Sequence, residues 1–414
     1  MNLPELRRGW RYQPLKHVAD VRFSSVDKHS LPEEEPVRLC NYLDVYRNEK
    51  ITEGLDFMTA TATKKEKHRF SLRMGDVLMT KDSEDPHDIG VPALVAEALR
   101  DVICGYHLAL LRPDEKVLFG PFLQRALAAP GIRDQFFSKA VGVTRFALGL
   151  SEIGDSVIPL PALDVQRAIA AFLDRKTAAI DALIAKKERL IGLLQEKRQA
   201  LITSRVLPPT EARWDPTRLG WLLREVRTPV HVEPTATYAE IGVRSHGKGT
   251  FHKEPLTGSQ LDEKKVFWVV PGALVFNIVF AWERAVAIVT EQDRGRIASH
   301  RFPMYVPVAD SCDVRFIRFL LLSDFGRFLL DRNSPGAAGR NKTLDRWSLM
   351  REEILIPPLA VQRQVADSIE RDTAATVALS EKLLLQIQRL KDYRQSLISA
   401  AVTGKLDIPI EDAA

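Results

Sequence analysis

Basic side chains gathered in short runs are the first chemistry this sequence offers. In the first half of the chain Lys64, Lys65, Lys67 and Arg69 fall in one run, followed by Lys81 and the pair Thr144-Arg145. In the second half Arg244, His246, Lys248 and Lys253 gather, and Arg340-Asn341-Lys342 comes later. Lysines and arginines in such runs engage phosphates with salt-sensitive affinity, and forked or amide groups can read base edges. Arg145, Arg244, Arg340 and Asn341 are the candidates for base reading. Any one of these residues is equally well explained as a solvated loop charge. Their recurrence in both halves gives the sets their weight.

Catalytic patterns are missing. Residues 242–248 (GVRSHGK) nearly spell a phosphate-binding loop, but Gly249 stands where Ser or Thr should hold magnesium. Pro255 and Gly258 follow where a helix should open, so the stretch reads as a basic loop. There is no Asp/Asn-Pro-Pro-aromatic motif of amino-methyltransferases and no glycine-rich loop for a methyl-donor nucleotide. Pro113-Asp114 begins a nuclease-like pattern that no Glu-x-Lys completes. None of the nine histidines falls in a metal motif, and His107 and His300 read as core or edge residues of apolar strands. No nucleophile, base and oxyanion site assembles. The expectation is a chain that recognises a polyanion and is not an enzyme by itself.

Composition sets wide bounds. The 414 residues suffice for two or three ordinary cores, and 45% hydrophobic with 27% charged residues marks a globular protein. A net charge of +5 permits a polyanionic partner without requiring one. Cys40, Cys104 and Cys312 are odd in number and far apart, with neither disulfide framework nor metal spacing, which fits a reducing cytoplasm. No signal peptide or membrane-length apolar run is present.

The elements that must carry the basic runs come from a repeat. Residues 158–206 and 354–402 align without a gap at one offset of 196, that between Gln166-Arg167 and Gln362-Arg363, with about 21 identities over 49 positions. Each copy opens on prolines and continues for more than 40 residues with apolar side chains at 3- and 4-residue steps. The seams read Ile180, Leu183, Lys187, Leu190, Leu194, Lys197, Leu201 and Leu379, Leu383, Ile387, Leu390, Arg394, Leu397. A helix of this length spans roughly 65 Å, too long for a core helix and too charged for a membrane. Two-fold symmetry across the repeat would make the two helices an antiparallel coiled coil.

Ahead of each helix lies a block of α+β character. In the first, residues 1–157, strands are expected at 37–45, 76–80, 93–95 and 102–111 in a mainly antiparallel sheet, then helix at 120–139. A proline-rich connection, 207–217, leads to the second block, so that 207–357 is linker and block. There the order of events returns: 238–244 echoes 42–47, 271–275 echoes 74–78, 297–306 echoes 102–111, and 316–330 echoes the first block's helix. The spacer helices occupy 158–206 and 358–406, with a tail at 407–414.

The double block-and-helix plan, the Leu-x-Val-Gln-Arg openings (Leu163 to Arg167, Leu359 to Arg363), the endings Arg198-Gln-Ala-Leu-Ile202 and Arg394-Gln-Ser-Leu-Ile398, and the tail Thr403-Gly-Lys-Leu406 resemble the specificity subunit of type I restriction-modification systems. The resemblance covers essentially the whole chain. It implies two pseudo-repeated α/β target-recognition domains separated by two long antiparallel helices, each domain reading half of a bipartite, asymmetric site on double-stranded DNA. It implies two methylase (M) subunits docked on the helices, with S-adenosylmethionine and the adenine chemistry on them, and a motor-nuclease (R) subunit for cleavage. This chain would bind no cofactor or metal. The loop Gly142-Val-Thr-Arg-Phe146 carries fewer polar groups than Gly339-Arg-Asn-Lys-Thr343, a departure between the halves. The rival readings are a coiled-coil adaptor that binds no DNA, and a stand-alone nuclease or methylase with unrecognised motifs.

Overall fold

The computed structural model describes residues 3–209, 213–261, 264–336 and 342–410. Two helices of 44 residues dominate it, Leu163–Val206 and Leu359–Val402. A proline stands one or two residues before each and none within, so every interior N–H can reach its i−4 carbonyl. The buried stripe of the first runs Leu173, Thr177, Ile180, Ile184, then Ile191 and Ile202. That of the second runs Ile369, Thr373, Leu383, Ile387, Arg394, Leu397. Both follow the alternating 3- and 4-residue step of a coiled coil. Of the expected first seam Ile180 is buried and Lys187, Leu194 and Leu201 are half-buried, but Leu183 and Leu190 are 43% and 40% exposed and Lys197 faces out, and Ile184, Ile191 and Arg198 turn inward in their places. In the second only Leu379, 42% exposed, leaves the stripe, and the half-buried Ser380 takes its place.

By contacts the chain divides into two compact units, Met1–Lys186 with Leu385–Ala414, and Lys187–Leu384. Each holds one globular block and a part of each long helix. Within each, the helix halves run antiparallel. In the first unit Arg394 meets Asp181 at 3.0 Å; in the second Arg205 reaches Ser368 at 2.6 Å and Asp372 at 3.1 Å.

In the first unit a five-stranded sheet orders Ala19–Phe23, Leu108–Pro113, Val77–Thr80, Pro92–Val95 and Lys50–Ile51, antiparallel except for its last pair. Beside it Met58–Ala62, Glu35–Cys40 and Val102–Cys104 form a three-stranded sheet. Several expectations need correction. The strand expected at 37–45 stops at Cys40, because the Asp44 carboxylate accepts the Asn41 N–H at 2.7 Å and starts a helix, Tyr42–Arg47. The strand at 102–111 is two strands, and His107 lies in the turn between them, not in a strand. The helix at 120–139 is also two, Gly120–Ala128 and Pro130–Lys139, split where Pro130 lacks an N–H. Lys64 to Arg69 lie on a short helix, Lys64–Phe70, not in a loop; Thr63 and Glu66 cap its start.

The second unit repeats this plan with different lengths. Its sheet orders Leu223–Val226, Met304–Pro307, Leu274–Phe276 and Val286–Ile288, all antiparallel. Helices Val314–Leu322 and Asp324–Arg332 stand where the first unit has its pair. His300 too lies between strands, Ile297–Ser299 and Met304–Pro307. Gly75 and Gly272, with φ of +91° and +84°, make the same left-handed turn before equivalent strands, so that echo holds. The echo of 42–47 in 238–244 does not, since the first is helical and the second contains the strand Ile241–Val243. The connection at 207–217 is also more than a linker. Asp215–Arg218 pairs antiparallel with Glu353–Ile356, as Arg11–Pro14 pairs with Val157–Leu160, giving each long helix the same two-stranded lead-in.

Ile202 and Val206 of the first long helix and Ala366 and Ile369 of the second are buried with Phe316, Leu320 and Leu349 in the second unit's main core. Each such aliphatic side chain contributes about 1.5–3 kcal/mol on burial. The cysteines lie in cores as well. Burial pushes the Cys40 and Cys104 thiols well above their ordinary range, and Cys312 up to about 11. Mixing native protein with a thiol reagent near pH 8 should therefore leave all three unlabelled, with labelling only on denaturation. Rapid native labelling would contradict the packing.

Candidate nucleic-acid interface

Of the first block's basic residues, Lys64, Lys65, Lys67 and Arg69 share the Lys64–Phe70 helix. Lys65 is exposed and Lys64 lies only loosely at 4.0 Å from Glu35, so both present charge to solvent. Lys67 is engaged by Asp101 at 3.1 Å and Glu35 at 3.5 Å, which hold its pKa above the usual value despite partial burial. The Arg69 guanidinium lies 5.4 Å over the Phe70 ring. This helix offers free cations with a defined spacing.

Lys81 and Arg145 come together elsewhere, on one nearly buried carboxylate. Asp82 accepts from Lys81 Nζ at 2.6 Å and from Arg145 Nη2 at 2.8 Å, and its other neighbour is His107 Nδ1. Burial would raise the Asp82 carboxyl; Lys81 and Arg145 overcome it and leave the pKa below the ordinary value. His107 is pushed down, first by burial and then by the two cations, against the pull of Asp82. Phe146–Ala147 pairs with Asp82–Ser83 and carries Arg145 to this point, while Thr144 is exposed beside it. Arg145 is half exposed, so it retains donors facing solvent.

In the second block Arg244, His246 and Lys248 lie on the turn between Ile241–Val243 and Thr250–His252. His246, Gly247 and Gly249 all adopt positive φ there, and the loop returns into the strand Thr250–His252 where a phosphate-binding loop would open a helix. Arg244 donates to the Thr250 carbonyl at 3.0 Å and sits 5.0 Å over Phe251. Lys253 pairs with buried Glu240 at 3.3 Å. Lys342 pairs with Asp331 at 2.6 Å and lies 5.2 Å over Trp282. Arg340 and Asn341, the leading candidates for base reading in this block, lie outside the described residues. The candidates thus form separate groups, the 64–69 helix and the Asp82 cluster in one unit and the 241–252 hairpin with Lys342 in the other. Among the described residues no three His, Cys, Asp or Glu side chains gather as a metal site would require.

The repeated Gln-Arg motif has a structural task that its sequence did not reveal. Gln166 is fully buried; its Oε1 accepts the Phe119 N–H at 2.8 Å and its Nε2 donates to the Val117 and Pro161 carbonyls at 2.9 and 2.8 Å. Gln362, equally buried, accepts the Asp313 N–H at 2.8 Å and donates to the Pro357 carbonyl at 2.9 Å. Phe119 and Asp313 precede equivalent block helices, Gly120–Ala128 and Val314–Leu322. In each unit, then, one amide locks the start of the long helix to the helix that backs the sheet. An acid–base network adds to this in the first unit. Arg125 binds Glu49 at 2.9 Å and Asp174 at 2.8 Å, Arg394 binds Glu49 at 2.6 Å and Asp181 at 3.0 Å, and Lys50 binds Asp174 at 2.8 Å.

No family model matches the chain. A curated relative, the Type I restriction enzyme StySPI specificity subunit of Salmonella potsdam, is 21% identical over 434 aligned positions, covering 98% of this chain and 91% of the relative. The chain resembles a type I specificity subunit from end to end. A solved chain from a study of assembly and conformational transition of the type I R-M system superposes with a TM-score of 0.65 at 18% identity, over 97% of this chain and all of that one. It has the fold described above. The HsdS subunit of Thermoanaerobacter tengcongensis, also 18% identical and matched over 97% of this chain and 99% of its own, gives a TM-score of 0.49. The repeated glutamines and helix halves are the parts shared between the two units, and the basic groups are the parts that differ.

Proposed function

We propose that this chain is the DNA sequence-specificity subunit of a type I restriction-modification complex and is not catalytic by itself. The observation that carries the reading is the twofold plan: one recognition block and one 44-residue helix, repeated, in a chain that resembles such a subunit along its whole length. Each block reads one half of a split, asymmetric site. Phosphates are met by Lys64, Lys65 and the other exposed cations, and base edges by Arg145, Arg244, Arg340 and Asn341. Two methylase subunits dock on the helices and carry S-adenosylmethionine and the adenine chemistry; a motor-nuclease subunit joins for cleavage. The helix pair fixes the unread gap. Among the described residues no helix is long and apolar enough to cross a membrane.

Genome-wide mapping of methylated adenines with and without this chain tests the reading. Methylation at a split site that appears only with the chain supports it, and methyl-donor turnover by the pure chain would overturn it. A finer prediction concerns phosphate contacts. Changing Lys64 and Lys65 together to Ala in the assembled complex should lower DNA affinity equally on all sequences and reduce the salt slope by about 2, one per lysine. Changing Arg340 and Asn341 to Ala should abolish the specific band shift. A shift unaltered by either pair would return the chain to the adaptor reading.

The gap gives a geometric check. Deleting residues 187–193 and their repeat equivalents 383–389 removes one heptad from each helix, about 10 Å at 1.5 Å per residue. The unread gap should then shorten by about three base pairs at 3.4 Å each, with both half-sites unchanged. Altered half-sites at an unchanged gap would refute the division of labour.

A further inference from the structure

The repeat places an arginine at equivalent seam positions, Arg394 in the first unit and Arg198 in the second. Arg394 is satisfied by two carboxylates, Asp181 and Glu49. Arg198 has none. At the offset of 196, the position of Asp181 is taken by Val377, which cannot accept a hydrogen bond. The Arg198 Nε is enclosed and meets no partner among the described residues. An enclosed donor left unmatched is costly, and the side chain that carries it lines cavities open to solvent, where the rest of its guanidinium can meet an acceptor from outside the chain.

Two further arginines also lack a carboxylate partner among the described residues. Arg318 Nη2 donates to the Gly247 carbonyl at 3.0 Å, and Arg284 Nη1 to the Leu322 carbonyl at 3.3 Å. Neither has a carboxylate within ion-pair distance among the described residues. Burial depresses the pKa of all three guanidiniums, Arg318 down to about 10, with Arg198 adding to that effect by repulsion. Three adjoining cavities open on the cluster. Arg198 lines all of them; Arg318 lines two, of about 390 and 380 Å³, and Arg284 lines the third, of about 570 Å³. Lys248 lines two of the three. The acidic groups on their walls are Glu370, Glu381, Glu196 and Asp324, and Glu370 is already held by Arg315 at 2.9 Å.

We propose that Arg198, Arg318 and Arg284, with Lys248 at the rim, form a binding site for a phosphate-class oxyanion that supplies the acceptor which Asp181 and Glu49 provide to Arg394 in the other unit. Guanidinium forks suit a tetrahedral oxyanion, which can accept from several at once. Free phosphate and a DNA backbone phosphate bring the same chemistry. Lys248 shares its turn with the base-reading candidate Arg244, but Arg198, Arg318 and Arg284 are not among those candidates, and the test does not depend on the specificity of the chain for any sequence.

Thermal melting of the full-length chain, in phosphate against chloride at matched ionic strength, is the test. Phosphate should raise the Tm by about 2–4 °C. Arg198→Met should lose that increment. So should Val377→Asp, which restores an internal carboxylate, and its Tm in chloride should equal or exceed that of the wild type. A parallel melt with a short duplex in chloride separates the sources. An Arg198-dependent increment with duplex but not with phosphate assigns the oxyanion to the DNA backbone, and one with phosphate assigns a free ion. The same increment in all three proteins, or none with either probe, would overturn the proposal.

Discussion

Gln166→Leu and Gln362→Leu should each destabilise the protein by about 3 kcal/mol, estimated as the loss of two or three buried hydrogen bonds whose partners stay behind. Leucine fills nearly the same volume, so the loss is one of polar matching and not of packing. Without Gln166, the Phe119 N–H and the Val117 and Pro161 carbonyls are left facing an apolar side chain in a site that is 0% exposed. Without Gln362, the Asp313 N–H and the Pro357 carbonyl are left so. Gln166 makes one more hydrogen bond than Gln362, so Gln166→Leu should be the more damaging. Urea unfolding followed by fluorescence and circular dichroism measures both. Because each amide joins the long helix to the block of its own unit, each substitution should also shift hydrogen exchange chiefly in that unit. Losses under about 1 kcal/mol for both variants would show that the amides are ornaments of the motif and not its purpose.

Much of this architecture was legible in the sequence, and the misses have definite physical causes. The long helices were visible because a proline-free run with a regular apolar step has few alternatives. The alternate positions of the first seam were not, because Leu183 and Ile184 are both apolar, as are Leu190 and Ile191, and Lys197 and Arg198 are both cations. Which of two adjacent equivalents turns inward is decided by the facing helix. The second seam shows the same rule from the other side, with Ser380 facing in and Leu379 out to keep the heptad step. Residues 42–47 (YLDVYR) alternate in polarity as a strand would, yet a single carboxylate at Asp44 capping the preceding N–H tips them into helix. The basic groups were found as charges, but their fates depend on acids distant in sequence. Asp82 adjoins Lys81 but also ties up Arg145, and nothing in the run around Arg145 announces it. Arg198 could have been found: it is one of the identities in the repeat, and the change from Asp181 to Val377 across the same offset was there to be read.

Arg125→Met and Arg394→Met should each cost about 2 kcal/mol at neutral pH, less than the 3–5 kcal/mol of a fully buried pair because the carboxylates remain about half in water. Methionine keeps the apolar stem, so the seam stays filled and the missing charge is what is measured. Both arginines hold Glu49, and the double variant should lose less than the sum of the singles by about 0.5–1 kcal/mol. The sign of the pH dependence follows from Asp174. Burial would raise its carboxyl, but the hydrogen bonds from Arg125 and Lys50 outweigh burial and leave the folded pKa below the usual carboxylate value. A depressed folded pKa adds stability above the unfolded value of about 3.9, and that stability is lost as pH falls through the folded pKa. The difference between wild type and Arg125→Met should therefore be full at pH 7 and shrink once the pH drops below the ordinary carboxylate range. Urea midpoints across that range decide it. A difference that is constant with pH would mean that Arg125 acts by packing alone, and the charge network would then contribute nothing to holding the first block on its helices.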